Sequence, residues 1–176
     1  NIIGEEYIWH AMKNPYLKLI VERAMQESAA SLSKEYNIPL HVIEEHITDL
    51  MLRFSNYALQ DTVSRVGRDT FRKLGENDRF TGAIKLCQKQ GITPVYISIG
   101  IAAAFYFSNN GNEIADTLLK EKSLTEIITE ICGIEDETTQ SKISQFYDML
   151  LNKDLSLVLE HAELIEKNIF SKKIII

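Results

Sequence analysis

An apolar run from Val95 to Phe107 constrains the fold of this chain more than any other stretch. Ser98 and Gly100 interrupt the run, and it is too short to span a bilayer. Because it is apolar on nearly every side, it predicts a helix buried at the centre of a helical bundle. Its aromatic side chains are expected to pack in the core and not to form a cofactor site; they are Tyr96, Phe105, Tyr106 and Phe107.

Apolar residues at helical spacing predict further helices on both sides of this run. The predicted helices cover residues 1–13, 16–36, 40–54, 59–74 and 81–90 before it, and 113–120, 123–132, 138–151 and 154–170 after it. Residues 108–112 and 133–136 are predicted turns. Pro15 suits a first helical turn, Gly91 suits a C-terminal cap, and Ser123 with Glu126 forms a capping-box pattern. No segment alternates like a strand, so the predicted fold is an all-α multi-helix bundle.

The length of the chain suits one helical domain over residues 1–170. A tail over residues 171–176 follows, for which the sequence leaves disorder and a strand both open. The first residue is Asn1 and not Met, so we expect a piece of a longer polypeptide. A net charge of −6 argues against binding to nucleic acid or to an anionic membrane. Cys87 and Cys132 are expected to be buried free thiols, which fits a cytoplasmic protein.

Arginine is concentrated between Arg53 and Arg79, a stretch that we call the arginine segment. Five of the six arginines lie in it, whereas twelve of the thirteen lysines lie elsewhere. The segment has six basic and four acidic side chains, a balance of +2, so the rest of the chain totals −8. A guanidinium group is planar, permanently charged and matched to phosphate and carboxylate oxygens. This positive island is therefore suited to a small anion.

The spacing within the arginine segment leaves two interpretations open. A continuous helix here would place Arg65, Arg68 and Arg72 on one face, at positions i, i+3 and i+7. Gly67 weakens that helix and favours a bend or a break. In one interpretation the arginines converge on an anion, and in the other they form internal salt bridges. The acidic side chains available for such bridges are Asp61, Asp69, Glu76 and Asp78.

The sequence offers no other reaction centre. No Gly-x-Gly-x-x-Gly follows a strand, so the chain has no dinucleotide-binding unit of its own. The histidines lack the spacing of metal ligands, and His41 and His46 fall on different faces of their helix. No serine has the sequence context of a nucleophile. The residues by themselves indicate a helical domain with an arginine cluster and no reaction centre.

Several motifs can be recognised in the first two thirds of the chain. They are A-M-Q-E-S at 24–28, R-F-S-N at 53–56, D-T-V-S-R-V-G-R-D at 61–69, R-K-L at 72–74, D-R-F-T-G-A at 78–83 and G-I-A-A-A at 100–104. Together they resemble the C-terminal domain of the polyol-specific long-chain dehydrogenases, within them the mannitol-1-phosphate 5-dehydrogenase family. The resemblance is good over residues 3–107 and loose beyond. It implies a bundle like the C-terminal domain of 6-phosphogluconate dehydrogenase.

The resemblance implies part of an NAD-dependent oxidoreductase that interconverts D-mannitol 1-phosphate and fructose 6-phosphate at the C5 hydroxyl. In that family an N-terminal Rossmann domain binds NAD, and the helical domain closes over the sugar-alcohol phosphate. The family's catalytic motif, Lys-x4-Asn-x2-His, lies just before the point where this chain begins. No lysine here has Asn and His at those offsets, so the chain is expected to hold no catalytic residue and to be inactive alone.

For the arginine segment, the resemblance favours anion binding over internal pairing. It implies that Arg53 and Asn56 contact hydroxyl groups of the polyol. It also implies cationic side chains that bind phosphate or fix the domain interface, namely Arg65, Arg68, Arg72, Lys73 and Arg79. Carboxylates expected to orient these cations are Asp61, Asp69 and Asp78.

The chain departs from the family pattern at two positions. Tyr57 and Thr70 stand where the family usually has proline, which is expected to free the backbone and loosen the loop that presents the arginines. Two alternatives therefore remain. One is the C-terminal domain of a related polyol or uronate dehydrogenase with an unphosphorylated substrate. The other is a helical interaction module without catalysis.

Overall fold

The computed structural model of the protein describes residues 2–109 and 121–174. In these ranges the α-helices are α1 (Ile8–Ala11), α2 (Pro15–Tyr36), α3 (Leu40–Phe54), α4 (Val63–Gly67), α5 (Thr70–Leu74), α6 (Arg79–Lys89), α7 (Tyr96–Asn109), α8 (Leu124–Ile127), α9 (Glu137–Leu151) and α10 (Leu155–Ile174). A 3-10 turn (Tyr57–Leu59) follows α3, and a π-helical stretch (Ile128–Cys132) continues α8. The described residues contain no strand, which confirms the all-α prediction. The comparison with the 6-phosphogluconate dehydrogenase fold stays a prediction.

Helix α7 is the centre of the bundle, as its apolar sequence predicts. Tyr96, Ile101 and Phe105 are at most 1% exposed. Helices α2, α5, α6 and α9 pack around them. The main core extends through α9 and α10, where Phe146 and Val158 are fully buried. Cys87 and Cys132 are also buried in this core and are free thiols, as expected.

Glu27 on α2 fixes the beginning of α7 by accepting hydrogen bonds from its backbone. Its Oε1 accepts from the N–H groups of Val95 (2.7 Å) and Tyr96 (3.0 Å). Its Oε2 accepts from the N–H of Ile97 at 2.9 Å. The first N–H groups of a helix have no partner inside the helix, so this carboxylate completes the N-terminus of the buried helix from another element.

A second, smaller cluster joins the first three helices. Met12, Ala29, Ile47 and Met51 are buried in it, with Phe54 packed at its edge. This cluster fixes the C-terminal end of α3, from which the arginine segment starts.

Local capping signals are also confirmed. Ser123 and Glu126 form a reciprocal capping box at α8. Gly91 follows α6 with a φ of +67°, a conformation that glycine adopts without strain. No helix within the described ranges is long and apolar enough to cross a membrane.

The prediction of a helix over residues 1–13 is wrong for the described residues outside Ile8–Ala11. Residues 6–8 instead run antiparallel to residues 61–63. Ile8 N donates to Asp61 O (2.9 Å), Val63 N donates to Glu6 O (2.8 Å), and Tyr7 bridges Thr62. These contacts between distant parts of the chain outweigh the local helical preference.

The predicted helix over residues 59–74 begins only at Val63, and it is interrupted after Gly67, which was expected to favour a bend or a break. Arg68 is extended, and Asp69 has a left-handed backbone with a φ of +58°. At the other end, α10 runs to Ile174, so most of the predicted tail continues this helix. The predicted turn at 108–112 is helical up to Asn109, and its remainder and the predicted helix over 113–120 lie outside the described residues.

Candidate anion-binding site

The arginine segment folds into short elements because side chains close each turn locally. The Thr62 hydroxyl accepts a hydrogen bond from Arg65 N at 3.2 Å and caps α4. The Thr70 hydroxyl donates to Gly67 O at 2.8 Å. As a result Arg65 lies on α4, Arg68 in the link and Arg72 on α5. The continuous helix that would have placed the three arginines on one face does not form, and the alternative of a break applies.

Gly67 attaches this turn to the buried helix. A methyl group at Gly67 would lie 2.5 Å from Cζ of Phe107 on α7. Only a residue without a side chain allows the backbone to approach the phenyl ring this closely. The end of α4 is thus positioned against the core of the domain.

Asp78 holds two of the predicted cations. Its Oδ1 accepts from Arg79 N at 2.7 Å, which caps α6, and from Arg79 Nε at 3.0 Å. Its Oδ2 accepts from Arg72 Nη1 at 3.3 Å. The backbone N–H and the guanidinium group of Arg79 lower the pKa of Asp78. One ionised carboxylate therefore orients two guanidinium groups.

The other two predicted acidic residues differ in their contacts. Asp61 forms an ion pair with Arg65, one turn along the chain. Asp69 forms no ion pair with any described residue, and its backbone oxygen accepts from Lys73 N at 3.1 Å. The Asp69 carboxylate does favour the charged form of Lys73 electrostatically.

Arg68 and Lys73 are bound by carbonyl oxygens instead of carboxylates. Arg68 Nε donates to Arg65 O at 3.4 Å, and Lys73 Nζ donates to Val66 O at 2.6 Å. Among the described residues, neither side chain lies within ion-pair distance of a carboxylate. Burial, and then the guanidinium group of Arg79, lower the pKa of Lys73.

We call the five side chains of this region the cationic cluster: Arg65, Arg68, Arg72, Lys73 and Arg79. Three aspartates accompany these five cations, which leaves an excess of two positive charges. Together with burial, the larger cause, such like-charged neighbours explain the lowered pKa of Lys73. The arrangement is suited to a group with several anionic oxygens.

Arg53 and Asn56 lie apart from the cationic cluster, beside α1. Both line a cavity of about 10 Å³, together with Trp9 and Asp61. Asn56 Oδ1 accepts from Ala58 N at 3.0 Å and caps the 3-10 turn. Asp61 lines the cavity and also pairs with Arg65, so it connects the cavity to the cationic cluster.

Sequence analysis missed Trp9, which lies far from the arginine segment along the chain. Its ring contacts Tyr57 edge-on, with centroids 6.5 Å apart. The sequence signal that could have pointed to Trp9 was Tyr57, which replaces the family's proline and packs its ring on the indole of Trp9. Thr70, the other departure, forms the hydrogen bond to Gly67 described above. Tyr57 and Thr70, which were expected to loosen the loop, thus form a ring contact and a hydrogen bond.

A larger groove of about 470 Å³ opens between α9 and α10, remote from these residues. Its lining combines Glu137 with Lys142 and His161, so charges of both signs face it. Size alone does not make a site, and we give more weight to the convergent cations of the cationic cluster. In the described part of the chain, no group of three or more His, Cys, Asp or Glu residues could hold a metal ion.

A family model described as the mannitol dehydrogenase C-terminal domain matches residues 1–167. The chain belongs to this family. Curated relatives of this mannitol dehydrogenase C-terminal domain are named mannitol-1-phosphate 5-dehydrogenase. One from Thermoanaerobacter pseudethanolicus is 36% identical over 138 residues, covering 77% of this chain and 36% of the relative. One from Bacillus subtilis is 33% identical over 135 residues, covering 75% of this chain and 35% of the relative. The chain therefore spans about a third of the length of these relatives.

The dehydrogenase names of the relatives imply a nicotinamide cofactor. The described residues form helices and one isolated bridge, without the parallel sheet that binds a dinucleotide. The mannitol dehydrogenase C-terminal domain in this chain therefore does not fit the cofactor by itself.

Proposed function

We propose that this chain is the substrate-binding domain of an NAD-dependent mannitol-1-phosphate 5-dehydrogenase. The whole enzyme interconverts D-mannitol 1-phosphate and fructose 6-phosphate, and an N-terminal Rossmann domain outside this chain binds NAD. Membership of the family and the names of its relatives support this proposal. A cytoplasmic location is part of the proposal, since it fits the two free thiols.

The observation that carries the proposal is the state of Arg68 and Lys73. Each is bound by a backbone oxygen and by no carboxylate of the described residues. A carbonyl dipole satisfies a donor without neutralising its charge. A phosphate group supplies both acceptors and two negative charges, which match the excess of the cationic cluster. Asp78 holds Arg72 and Arg79, which the proposal treats as additional hydrogen-bond donors to the phosphate group.

The remaining predicted residues receive roles on the same basis. Arg53 and Asn56 contact hydroxyl groups of the sugar alcohol, because they line the cavity that Asp61 connects to the cationic cluster. Asp61 and Asp78 orient arginines through their ion pairs. Asp69 acts through its charge near Lys73. The chain has no Lys-x4-Asn-x2-His motif, so the proposal places catalysis outside it, and the chain alone is inactive.

The test is to express the whole reading frame that contains this chain and to follow NAD reduction with two substrates. We expect kcat/KM for mannitol 1-phosphate to exceed that for mannitol by about a hundredfold or more, since several charge-assisted hydrogen bonds are lost without phosphate. Equal values, or a preference for mannitol or a uronate, would contradict the proposal. A reading frame that begins near Asn1 would favour the interaction module.

A further inference from the structure

The indole of Trp9 carries an unused hydrogen-bond donor. Its Nε1 is enclosed and has no acceptor among the described residues. Trp9 lines the cavity of about 10 Å³ between α1 and the turn after α3. An enclosed N–H that meets no acceptor is unfavourable, so the cavity is expected to be completed by an acceptor that the described residues do not supply.

The other polar groups around this cavity define what kind of acceptor fits. Arg53 also lines it, has donors only, and forms no ion pair with a described residue. Asp61 has acceptors only, and its pairing with Arg65 leaves part of its capacity free. A group that accepts from Trp9 and Arg53 and donates to Asp61 would satisfy all three side chains. A hydroxyl group does both.

The size of the cavity and its polar lining favour a single uncharged oxygen over larger or charged groups. A volume of about 10 Å³ matches one oxygen-sized probe. A carboxylate brings two oxygens and has no proton to donate to Asp61. An ammonium group has no lone pair for Trp9 or Arg53.

The ring of Trp9 is held in place by its neighbours. Tyr57 packs edge-on at 6.5 Å, and Lys13 Nζ lies 4.6 Å from the ring centroid. A donor that is fixed before the ligand arrives loses little freedom on binding.

We propose that Trp9, Arg53, Asn56 and Asp61 form a hydroxyl pocket that binds one hydroxyl group of the sugar-alcohol chain. Trp9 Nε1 and Arg53 donate to the hydroxyl oxygen, and Asp61 accepts its proton in a hydrogen bond. This inference rests on the proposed function and adds Trp9 and Asp61 as substrate-binding residues. Because Asp61 also pairs with Arg65, it connects the hydroxyl pocket to the cationic cluster.

The experiment uses the full-length protein with Trp9→Phe, which removes the N–H and keeps an aromatic ring. We expect KM for mannitol 1-phosphate to rise about threefold to tenfold, as for one hydrogen bond, with kcat nearly unchanged. The matched control is Tyr57→Phe, which removes an exposed hydroxyl beside the same ring and should leave KM unchanged.

Mannitol 1-phosphate analogues that each lack one hydroxyl distinguish recognition from a structural effect. With one of them, wild type and Trp9→Phe should have equal KM values, because the partner of the N–H is gone from the substrate. If Trp9→Phe has a wild-type KM, or keeps its penalty with every analogue, the hydroxyl pocket is wrong.

Two further outcomes are separable. If the wild-type protein does not oxidise mannitol 1-phosphate, the proposed function itself fails. If Trp9→Phe does not fold, NMR of tryptophan-labelled wild type supplies the test. Mannitol 1-phosphate should shift an indole N–H resonance that one deoxy analogue does not shift, and an equal response to every analogue would overturn the inference.

Discussion

Lys73 Nζ donates a hydrogen bond to the carbonyl oxygen of Val66, 2.6 Å away. The bond joins α5 to α4 and holds the ammonium group at a fixed position. No described carboxylate forms an ion pair with Lys73, and burial, followed by the neighbouring guanidinium groups, lowers the pKa of this lysine. Within the cationic cluster, Lys73 and Arg68 are thus positioned by backbone oxygens and not by a carboxylate.

Replacing Arg68 or Lys73 with glutamine in the full-length protein should impair binding of the phosphorylated substrate selectively. We expect KM for mannitol 1-phosphate to rise about tenfold to a hundredfold per change, the value of a charge-assisted hydrogen bond. KM for mannitol should stay constant. The control is Lys89→Gln, which removes a lysine paired with Glu35 elsewhere on the surface. A parallel rise of both KM values, or a loss of thermal stability alone, would contradict the assignment.

Glu27→Gln should destabilise the fold although it removes no volume. Oε1 accepts from Val95 and Tyr96, and Oε2 accepts from Ile97. An amide nitrogen placed at either oxygen confronts backbone N–H donors, so at least one of them loses its acceptor. We expect a cost of about 1–3 kcal/mol in the free energy of unfolding at pH 8, where the carboxylate is ionised, measured by urea denaturation. Unchanged stability would mean that Glu27 does not cap α7.

The same carboxyl group predicts a pH dependence. Burial raises the pKa of Glu27 to about 7, from an ordinary value of 4.5, despite the three N–H groups that lower it. The folded protein then binds the proton more tightly than the unfolded chain does. The resulting stabilisation, on the order of 3 kcal/mol, is complete below pH 4.5 and is lost as the pH rises through 7. In urea denaturation, the difference in the free energy of unfolding between wild type and Glu27→Gln should become smaller as the pH rises through this range. A difference that stays constant would argue against a raised pKa.

Gly67→Ala should displace the turn that carries the cationic cluster, because the added methyl group would collide with Phe107 on α7. The added methyl would lie 2.5 Å from the ring of Phe107, so the turn or the ring must move. We expect a loss of about 1–3 kcal/mol from overpacking, together with a higher KM for mannitol 1-phosphate. Gly82→Ala on α6 is the control, because nothing lies within 4 Å of its added methyl and alanine favours a helix. Equal melting temperatures for the two variants would contradict this account.

The parts of the fold that follow from the sequence are those with local causes. The run from Val95 to Phe107 has no polar face, so burial was its only stable outcome. The capping box at Ser123 needs only four residues and was equally predictable. The bridge between Tyr7 and Thr62 joins residues more than fifty positions apart, and no local pattern encodes it. The left-handed backbone of Asp69 likewise depends on how α4 and α5 pack.

The candidate site divides in the same way. Composition was enough to locate the cations, since arginine is concentrated in one segment. It could not decide which cations are neutralised, because Asp78 reaches Arg72 across six residues whereas Arg68 finds only a carbonyl. Trp9 was missed because its position beside Arg53 is created by tertiary packing alone.

The most direct test of the central claim is a crystal structure of the full-length protein with mannitol 1-phosphate bound. We predict phosphate oxygens within hydrogen-bond distance of both Arg68 and Lys73, with Arg72 and Arg79 still held by Asp78. A phosphate group bound elsewhere, with Arg68 and Lys73 still directed at carbonyl oxygens, would contradict the account.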